Sequence, residues 1–238
     1  MSAGAKWVAA AITLGVLVLV AGIAASWPLA RYVVEPGRQL KTYYIPSESM
    51  RPTLEVNDRI MPRAVRPGDL ARGTVVLFQL PDQVRINRIA AIAGDRVAVK
   101  DGIVFLNGKP VAQRPVGQPQ PAEFGRQEQR LVEQFPGEAK PHLILDSGFS
   151  PGDNIDEATV PAGHLFLLGD NRDNSADSRM SLAQQGLGGP VPVENIGGRA
   201  EFVTFSLDGS ASWNPLTWFD SFRSGRAGGS LHPDRPAE

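Results

Sequence analysis

Two serine hydroxyls, Ser47 and Ser49, flank a single residue in a segment bounded by Pro46 and Pro52. Proline fixes its own φ angle and restricts the residue before it, so few backbone conformations are open to this segment. A serine held in this way can act as a nucleophile if another group accepts its proton. A serine-rich turn between prolines is more often an ordinary loop, and the segment alone favours that interpretation.

A second segment, residues 169–179, reads G-D-N-R-D-N-S-A-D-S-R and follows an apolar run. It contains five charged residues and two hydroxyls within eleven positions. Asx turns in a solvated loop are the alternative explanation, but a loop rarely needs so many charges and small hydrogen-bonding groups merely to turn. The two segments together indicate a catalytic site built around a serine.

The composition excludes several other kinds of site. Lys and Arg total 24 against 25 Asp and Glu, so no basic surface for a nucleic acid is expected. The 42% hydrophobic content rules out wholesale disorder, and the absence of cysteine excludes disulfides and thiolate metal sites. His142, His164 and His232 lie apart and lack metal-ligand spacing, so we expect surface or hydrogen-bonded histidines and no metal.

Residues 7–29 carry no charge and follow a short flank, residues 1–6. At 1.5 Å per residue, such a run can cross about 30 Å of hydrocarbon, which predicts one transmembrane helix. A cleavable secretory signal is the alternative, but its apolar stretch normally spans only ~7–15 residues. Lys6 precedes the run and Arg31 follows it, so charge leaves the orientation open.

The remainder of the chain is predicted to be mostly β. The turns Asp101-Gly102 and Asn107-Gly108 indicate hairpins between apolar runs. Strands are predicted at residues 74–78, 84–92, 96–100, 103–106, 165–168 and 202–205.

Three stretches are less regular. Residues 127–135 fit either a short helix or a hairpin arm, and the Pro/Gln-rich residues 115–121 are predicted to be a loop. Residues 211–238 are predicted to be a tail with a disordered end. Four aromatic residues within it form either an exposed patch near the membrane surface or part of the core: Trp213, Trp218, Phe219 and Phe222.

Together these motifs resemble type I signal peptidase, a membrane-anchored serine endopeptidase that removes signal peptides. The resemblance covers most of residues 7–205 and rests on four features besides the anchor. They are the P-S-x-S-M-x-P-T box at residues 46–53, the box at residues 68–78, the Gly94-Asp95 turn and residues 169–179.

The resemblance implies two antiparallel β-sheets in a peptidase domain at residues 30–210, with residues 107–162 as a loop- and hairpin-rich insertion. It also implies a single-pass protein of the bacterial plasma membrane, with the domain on the extracytoplasmic side in contact with membrane lipid. Its partners would be the signal peptides of exported preproteins, and no cofactor is expected.

The resemblance also implies a role for each site residue. Ser49, directly before a methionine, corresponds to the nucleophile. Ser47 corresponds to a hydroxyl that stabilises the oxyanion together with the Ser49 N–H, and Ser175 to a serine that orients the general base. Asp177 and Arg179 correspond to an ion pair that holds residues 169–179 against the site.

One position departs from the family pattern. Bacterial members carry a Lys-Arg pair eight and seven residues before the turn aspartate, and the lysine is the general base. Counting back from Asp95 gives Asn87 and Arg88, and the histidine of the endoplasmic-reticulum relatives is absent too. Asparagine does not titrate and cannot accept the serine proton. Four neighbours are expected to form the apolar pocket around position 87: Ile86, Ile89, Ala90 and Ala91.

The interpretation is therefore a membrane-bound serine endopeptidase that removes signal peptides by attack of Ser49. Three explanations of Asn87 stay open: a working peptidase with another base, a weakened paralogue that binds preproteins without efficient cleavage, or a substitution introduced into an active enzyme. A non-catalytic module that holds preproteins is the alternative from another functional class. A peptidase of pilus or conjugation proteins is disfavoured by residues 169–179.

Overall fold

The computed structural model describes residues 41–66, 68–122, 125–210 and 221–232. The strands described below belong to the compact unit that begins at Thr42. The predicted anchor at residues 7–29, the end of the tail, and Trp213, Trp218 and Phe219 lie outside the described residues. No helix within the described ranges is long and apolar enough to span a membrane.

The described chain is mostly β, as predicted. The strands are β1 (Tyr43–Tyr44), β2 (Asp58–Arg63), β3 (Val75–Gln79), β4 (Val84–Ile92), β5 (Arg96–Lys100), β6 (Ile103–Leu106), β7 (Lys109–Pro110), β8 (Ala112–Pro121), β9 (Gln127–Gln134), β10 (His142–Asp146), β11 (Ile155–Thr159), β12 (His164–Leu168), β13 (Val191–Pro192) and β14 (Ile196–Ser206). Short 3₁₀ helices are found at Arg172–Asn174, Leu182–Gln184 and Val193–Asn195.

These strands form three antiparallel sheets, so the prediction of two sheets is wrong. A seven-stranded sheet has the order β1-β2-β14-β3-β4-β12-β13, and a four-stranded sheet has the order β11-β5-β6-β7. The third sheet, β10-β9-β8, is formed within the predicted insertion. It stays separate because its strands hydrogen-bond to one another and β8 is exposed along nearly its whole length.

The irregular stretch that we predicted to be a loop, residues 115–121, is instead part of β8. Proline lacks the backbone N–H and is tolerated at a sheet edge, where one side of the strand needs no partner. β8 is such an edge, and its register shifts between Val116 and Gln120, around Gly117 with φ +70°. Residues 127–134 form strand β9, so the hairpin-arm alternative for that stretch is correct.

The seven-stranded sheet is buried on both faces around β3. Val75 and Leu77 pack in one cluster, and Val76 and Phe78 pack in another, because successive side chains of a strand point to opposite faces. Met50 belongs to the first cluster and is fully buried. Burial of a methionine side chain contributes about 1.5–3 kcal/mol, so Met50 holds the preceding serine against the sheet.

Candidate active site

Four of the predicted site residues line one cavity of about 320 Å³: Ser47, Ser49, Asn87 and Ser175. They come from the turn after β1, from β4, and from the segment after β12. Further walls of the cavity are largely apolar and include Tyr43, Ile45, Ile60, Leu77 and Ile86. The tertiary structure therefore brings the two sequence segments and position 87 together in one cleft.

The serine turn places two hydroxyls side by side. The Oγ atoms of Ser47 and Ser49 are 3.2 Å apart, so one can donate a hydrogen bond to the other. Residues 169–179 hold this turn through Asn171, whose backbone N–H donates to the Ser49 carbonyl at 3.0 Å. The Asn171 side-chain amide also donates to the Glu48 carbonyl at 3.2 Å. Two hydrogen bonds thus fix the backbone on either side of the Ser49 N–H.

A buried ion pair ties β4 to the same segment. The Arg88 guanidinium donates to the Asp170 carboxylate at 2.8 and 2.5 Å, and Thr53 of the serine turn donates to that carboxylate at 2.5 Å. Burial by itself would raise the pKa of Asp170, but the charge and hydrogen bonds of Arg88 outweigh it and lower the pKa. Asp170 is therefore ionised at neutral pH and joins three segments of the site.

Asn87 is buried, with 3% of its surface exposed. In the orientation that satisfies both amide atoms, its oxygen accepts at 3.1 Å from the Gly169 N–H, a donor that it shares with Asp177, and its nitrogen donates to the Ile86 carbonyl at 3.3 Å. Ile86 lines the cavity, but Ile89, Ala90 and Ala91 pack in core clusters elsewhere, so the predicted pocket is wrong in three of its four members. The strand continues past the cavity and carries those three side chains away from it.

Ser175 is buried, with 8% of its surface exposed, and its Oγ has no hydrogen-bond partner among the described residues. A Cβ added to Gly169 would lie 2.1 Å from the Ser175 Oγ and 2.6 Å from the Ser49 carbonyl oxygen. Both oxygens therefore lie where a side chain at position 169 would begin, so no residue larger than glycine fits there. The free Ser175 hydroxyl lies close to the backbone of the serine turn.

The family model described as "Signal peptidase, peptidase S26" matches residues 7–205. The chain belongs to this family. Signal peptidase I of Pseudomonas aeruginosa is 36% identical over 200 residues, which cover 75% of this chain and 67% of that protein. Signal peptidase I of Pseudomonas fluorescens is 33% identical over 199 residues, with the same two shares.

Membership makes the chain an S26-type serine endopeptidase and confirms the resemblance at the family level. A crystal structure of signal peptidase I from Enterococcus faecalis is 19% identical and covers 58% of this chain and 98% of that one. Its TM-score of 0.31 is too low to carry any argument about the fold.

In this member of the signal peptidase family, Asp177 and Arg179 form a buried bidentate ion pair with two contacts of 2.9 Å. Asp177 also accepts from the Gly169 N–H at 2.9 Å, and Arg179 donates to the Arg172 carbonyl at 2.5 Å. Burial alone would lower the pKa of Arg179, but the charge of Asp177 outweighs it and raises the pKa. Neither residue lines the cavity, so both act on the site through the backbone.

Sequence reasoning missed Glu133, which β9 contributes from the insertion. Its carboxylate is fully buried and receives two hydrogen bonds from Arg172, one of them 3.0 Å long. Burial would raise the pKa of Glu133, but the charge of Arg172 lowers it well below its usual range. The signal for Glu133 that the sequence offered was an acidic residue next to Leu131-Val132 in a strand.

His142 was expected to be either a surface residue or a hydrogen-bonded one. It is hydrogen-bonded, with its Nδ1 2.9 Å from a Glu138 oxygen.

One strand edge opens onto the cavity. β4 pairs with β3 from Val84 onward, but its pairing with β12 extends only to Arg88. In the described strands, residues 84–87 therefore have a ladder partner on one side only. These four residues line the cavity together with residues 45–47. An extended peptide could add to this edge as a further strand.

Proposed function

We propose that this chain removes signal peptides from exported preproteins and that Ser49 is its nucleophile. The single observation that carries the proposal is the cavity that joins the paired Ser47 and Ser49 hydroxyls to the open edge of β4. The Ser49 N–H and the Ser47 hydroxyl supply two donors for an oxyanion, which is the main electrostatic requirement of acyl transfer. The Asp177–Arg179 ion pair holds residues 169–179 beside these groups, and Ser175 is placed to orient a general base.

The substrate is an extended peptide segment that pairs with residues 84–87. Backbone hydrogen bonds supply the affinity, and the cavity walls select the side chains that point inward. Because those walls are largely apolar, small apolar side chains next to the cut are favoured.

The anchor and the location belong to the same proposal. Residues 7–29 form one transmembrane segment next to lipid, and the peptidase domain lies on the extracytoplasmic side of the plasma membrane, where preproteins emerge. The uncharged run of residues 7–29 supports the anchor.

A second candidate function is binding of preproteins without efficient cleavage. The observation in its favour is Asn87, a buried amide whose two polar atoms bond to backbone groups and cannot take up a proton. A serine site that lacks its base retains only the ~10³-fold catalysis that the oxyanion donors and substrate binding supply over water.

The test uses the full purified chain in detergent with a preprotein, and it measures binding and cleavage separately. Ser49→Ala should abolish whatever cleavage is seen and leave binding intact, because the cavity walls are unchanged. Ser224→Ala, at an exposed serine, is the matched control and should alter neither. Undiminished cleavage by Ser49→Ala would reject Ser49 as nucleophile, and binding without any cleavage by the unmodified chain would favour the second candidate.

A further inference from the structure

The cavity beside Ser49 contains an unsatisfied polar group. The Oγ of Ser175 is buried and makes no hydrogen bond to the rest of the described chain. A buried hydroxyl without a partner is destabilising, so a ligand that supplies a donor or an acceptor here binds more favourably. In the orientation that satisfies both of its amide atoms, Asn87 bonds to the Gly169 N–H and the Ile86 carbonyl, and it makes no hydrogen bond to the Ser175 hydroxyl.

The same cavity lacks a basic group. Its only cationic lining residue in the described chain is Arg85, whose guanidinium donates to the carbonyls of Ala176 and Gln185. An arginine is not deprotonated in a protein and cannot serve as a base. None of the lysines in the described ranges lines the cavity.

We infer that this cavity binds a small primary amine from solution and that the bound amine acts as the general base for Ser49. The inference rests on the proposed function. An asparagine side chain ends two atoms short of the nitrogen of a lysine, and the cavity of about 320 Å³ leaves room for methylamine or ethylamine beyond it. The Ser175 hydroxyl bonds to the amine head group, and Ile45 and Leu77 are among the apolar walls available to its methyl end.

The bound amine accepts and returns one proton in each half of the reaction, acylation and deacylation. The neutral amine takes the proton from the Ser49 Oγ as that oxygen bonds to the scissile carbonyl carbon. The resulting alkylammonium returns the proton to the leaving peptide nitrogen as the C–N bond breaks. Water then hydrolyses the acyl-enzyme, and the amine accepts and returns one proton in the same way. Largely apolar walls lower the pKa of a bound amine because they disfavour its charged form.

A rate measurement tests the catalytic part of this inference. Preprotein cleavage by the full chain is followed with methylamine, ethylamine and trimethylamine, which are all basic but differ in size and in N–H groups. Ethylamine should accelerate cleavage at least ~10-fold, with saturation and with a rate that rises with pH as more amine is neutral. Acceleration that is linear in concentration and equal for trimethylamine would mean catalysis by free base in solution and would overturn the inference.

A size series tests whether position 87 defines the site. Asn87→Gly removes the side chain and should shift the best amine from ethylamine to butylamine, because the cavity becomes longer. Asn154→Ala, at an exposed asparagine outside the cavity, is the matched control and should keep the preference for ethylamine. An unchanged size preference in Asn87→Gly would contradict binding at this place.

Binding is also measured without turnover, by NMR titration of the chain with ethylamine. The amide signals of Gly169 and Ser175 should shift with saturation, and Ser175→Ala should raise the midpoint at least ~3-fold because one hydrogen bond is lost. Absent or unsaturable shifts would overturn the inference whatever the activity. If Asn87→Lys cleaves and the amines have no effect, the inference fails but the proposed function stands. If neither Asn87→Lys nor the unmodified chain with amine cleaves, the proposed function and the catalytic part of the inference both fail, and the titration alone decides whether the amine binds.

Discussion

Replacement of Asn87 by lysine tests the proposed chemistry of the site most directly. The side chain at position 87 is buried and faces the cavity that contains Ser49. A lysine extends two atoms further than asparagine, into a space of about 320 Å³. Its amine would meet the Ser175 Oγ, which has no other partner among the described residues. The nearest fixed positive charge along the strand, Arg88, is already paired with Asp170.

The expected gain follows from general-base catalysis, which typically contributes about 10²–10⁴-fold, or roughly 3–5 kcal/mol of barrier. Desolvation lowers the pKa of a buried lysine, by up to 3–5 units in a fully buried site. A neutral amine is then available near neutral pH. We expect Asn87→Lys to raise preprotein cleavage at least ~100-fold, with a rate that climbs as the pH rises through the lowered pKa.

The same substitution has a predictable effect on stability. Each unit by which folding lowers the lysine pKa costs about 1.4 kcal/mol while the lysine is protonated in the unfolded chain. A lowering of two units would reduce the free energy of unfolding by about 3 kcal/mol at neutral pH. Because the folded pKa is the lower one, the penalty is largest below that pKa and disappears as the pH rises towards the unfolded value near 10.4.

The assay compares unmodified chain, Asn87→Lys and the exposed control Asn154→Lys in detergent, from roughly pH 6 to pH 10. Cleavage of a preprotein is measured beside urea unfolding at both ends of that range. The control should change neither quantity. An unmodified chain that cleaves at an ordinary enzymatic rate and gains nothing from the lysine would refute the reasoning. Another residue would then supply the base, and position 87 would be wrongly matched.

Two further predictions concern the scaffold, and a third concerns the side of the membrane on which the domain lies. Glu133→Ala leaves the buried Arg172 without its counter-charge and should lower the free energy of unfolding by about 3–5 kcal/mol. The control Glu157→Ala, in an exposed ion pair, should lower it by less than about 1 kcal/mol. Equal losses of the two variants in urea unfolding would contradict the prediction that burial makes the Glu133 pair the more important one. Arg63 lowers the pKa of Asp69 to about 2. The Asp69 carboxylate should therefore contribute at most about 2 kcal/mol to the free energy of unfolding above pH 4, and this contribution is lost as the pH falls from roughly 4 through 2. Asp69→Asn should lack that part of the acid profile, and an acid profile equal to that of the unmodified protein would contradict the prediction. Protease added to intact spheroplasts should digest the domain, and protection until lysis would place it in the cytoplasm.

The sequence by itself determined the features that depend on local chemistry. The turns Asp101-Gly102 and Asn107-Gly108 were predictable because Asp-Gly and Asn-Gly favour the type I′ hairpin turn, which needs positive φ at both residues. The structure has φ +48° and +77° in the first turn and +53° and +79° in the second. Residues 46–53 and 169–179 were singled out because their hydroxyls and charges are close together in the chain.

Only the tertiary structure decided which distant groups meet. Whether the proline-rich residues 115–121 form a strand depends on a partner, β9, that local propensity does not encode. Glu133 lies far from Arg172 in sequence, and its burial is tolerable only because the fold places that charge beside it. Likewise, the absent lysine was visible in the sequence, whereas the unpartnered hydroxyl of Ser175 was not. Hydrogen-bond satisfaction is a property of the folded neighbourhood, and residue type alone does not fix it.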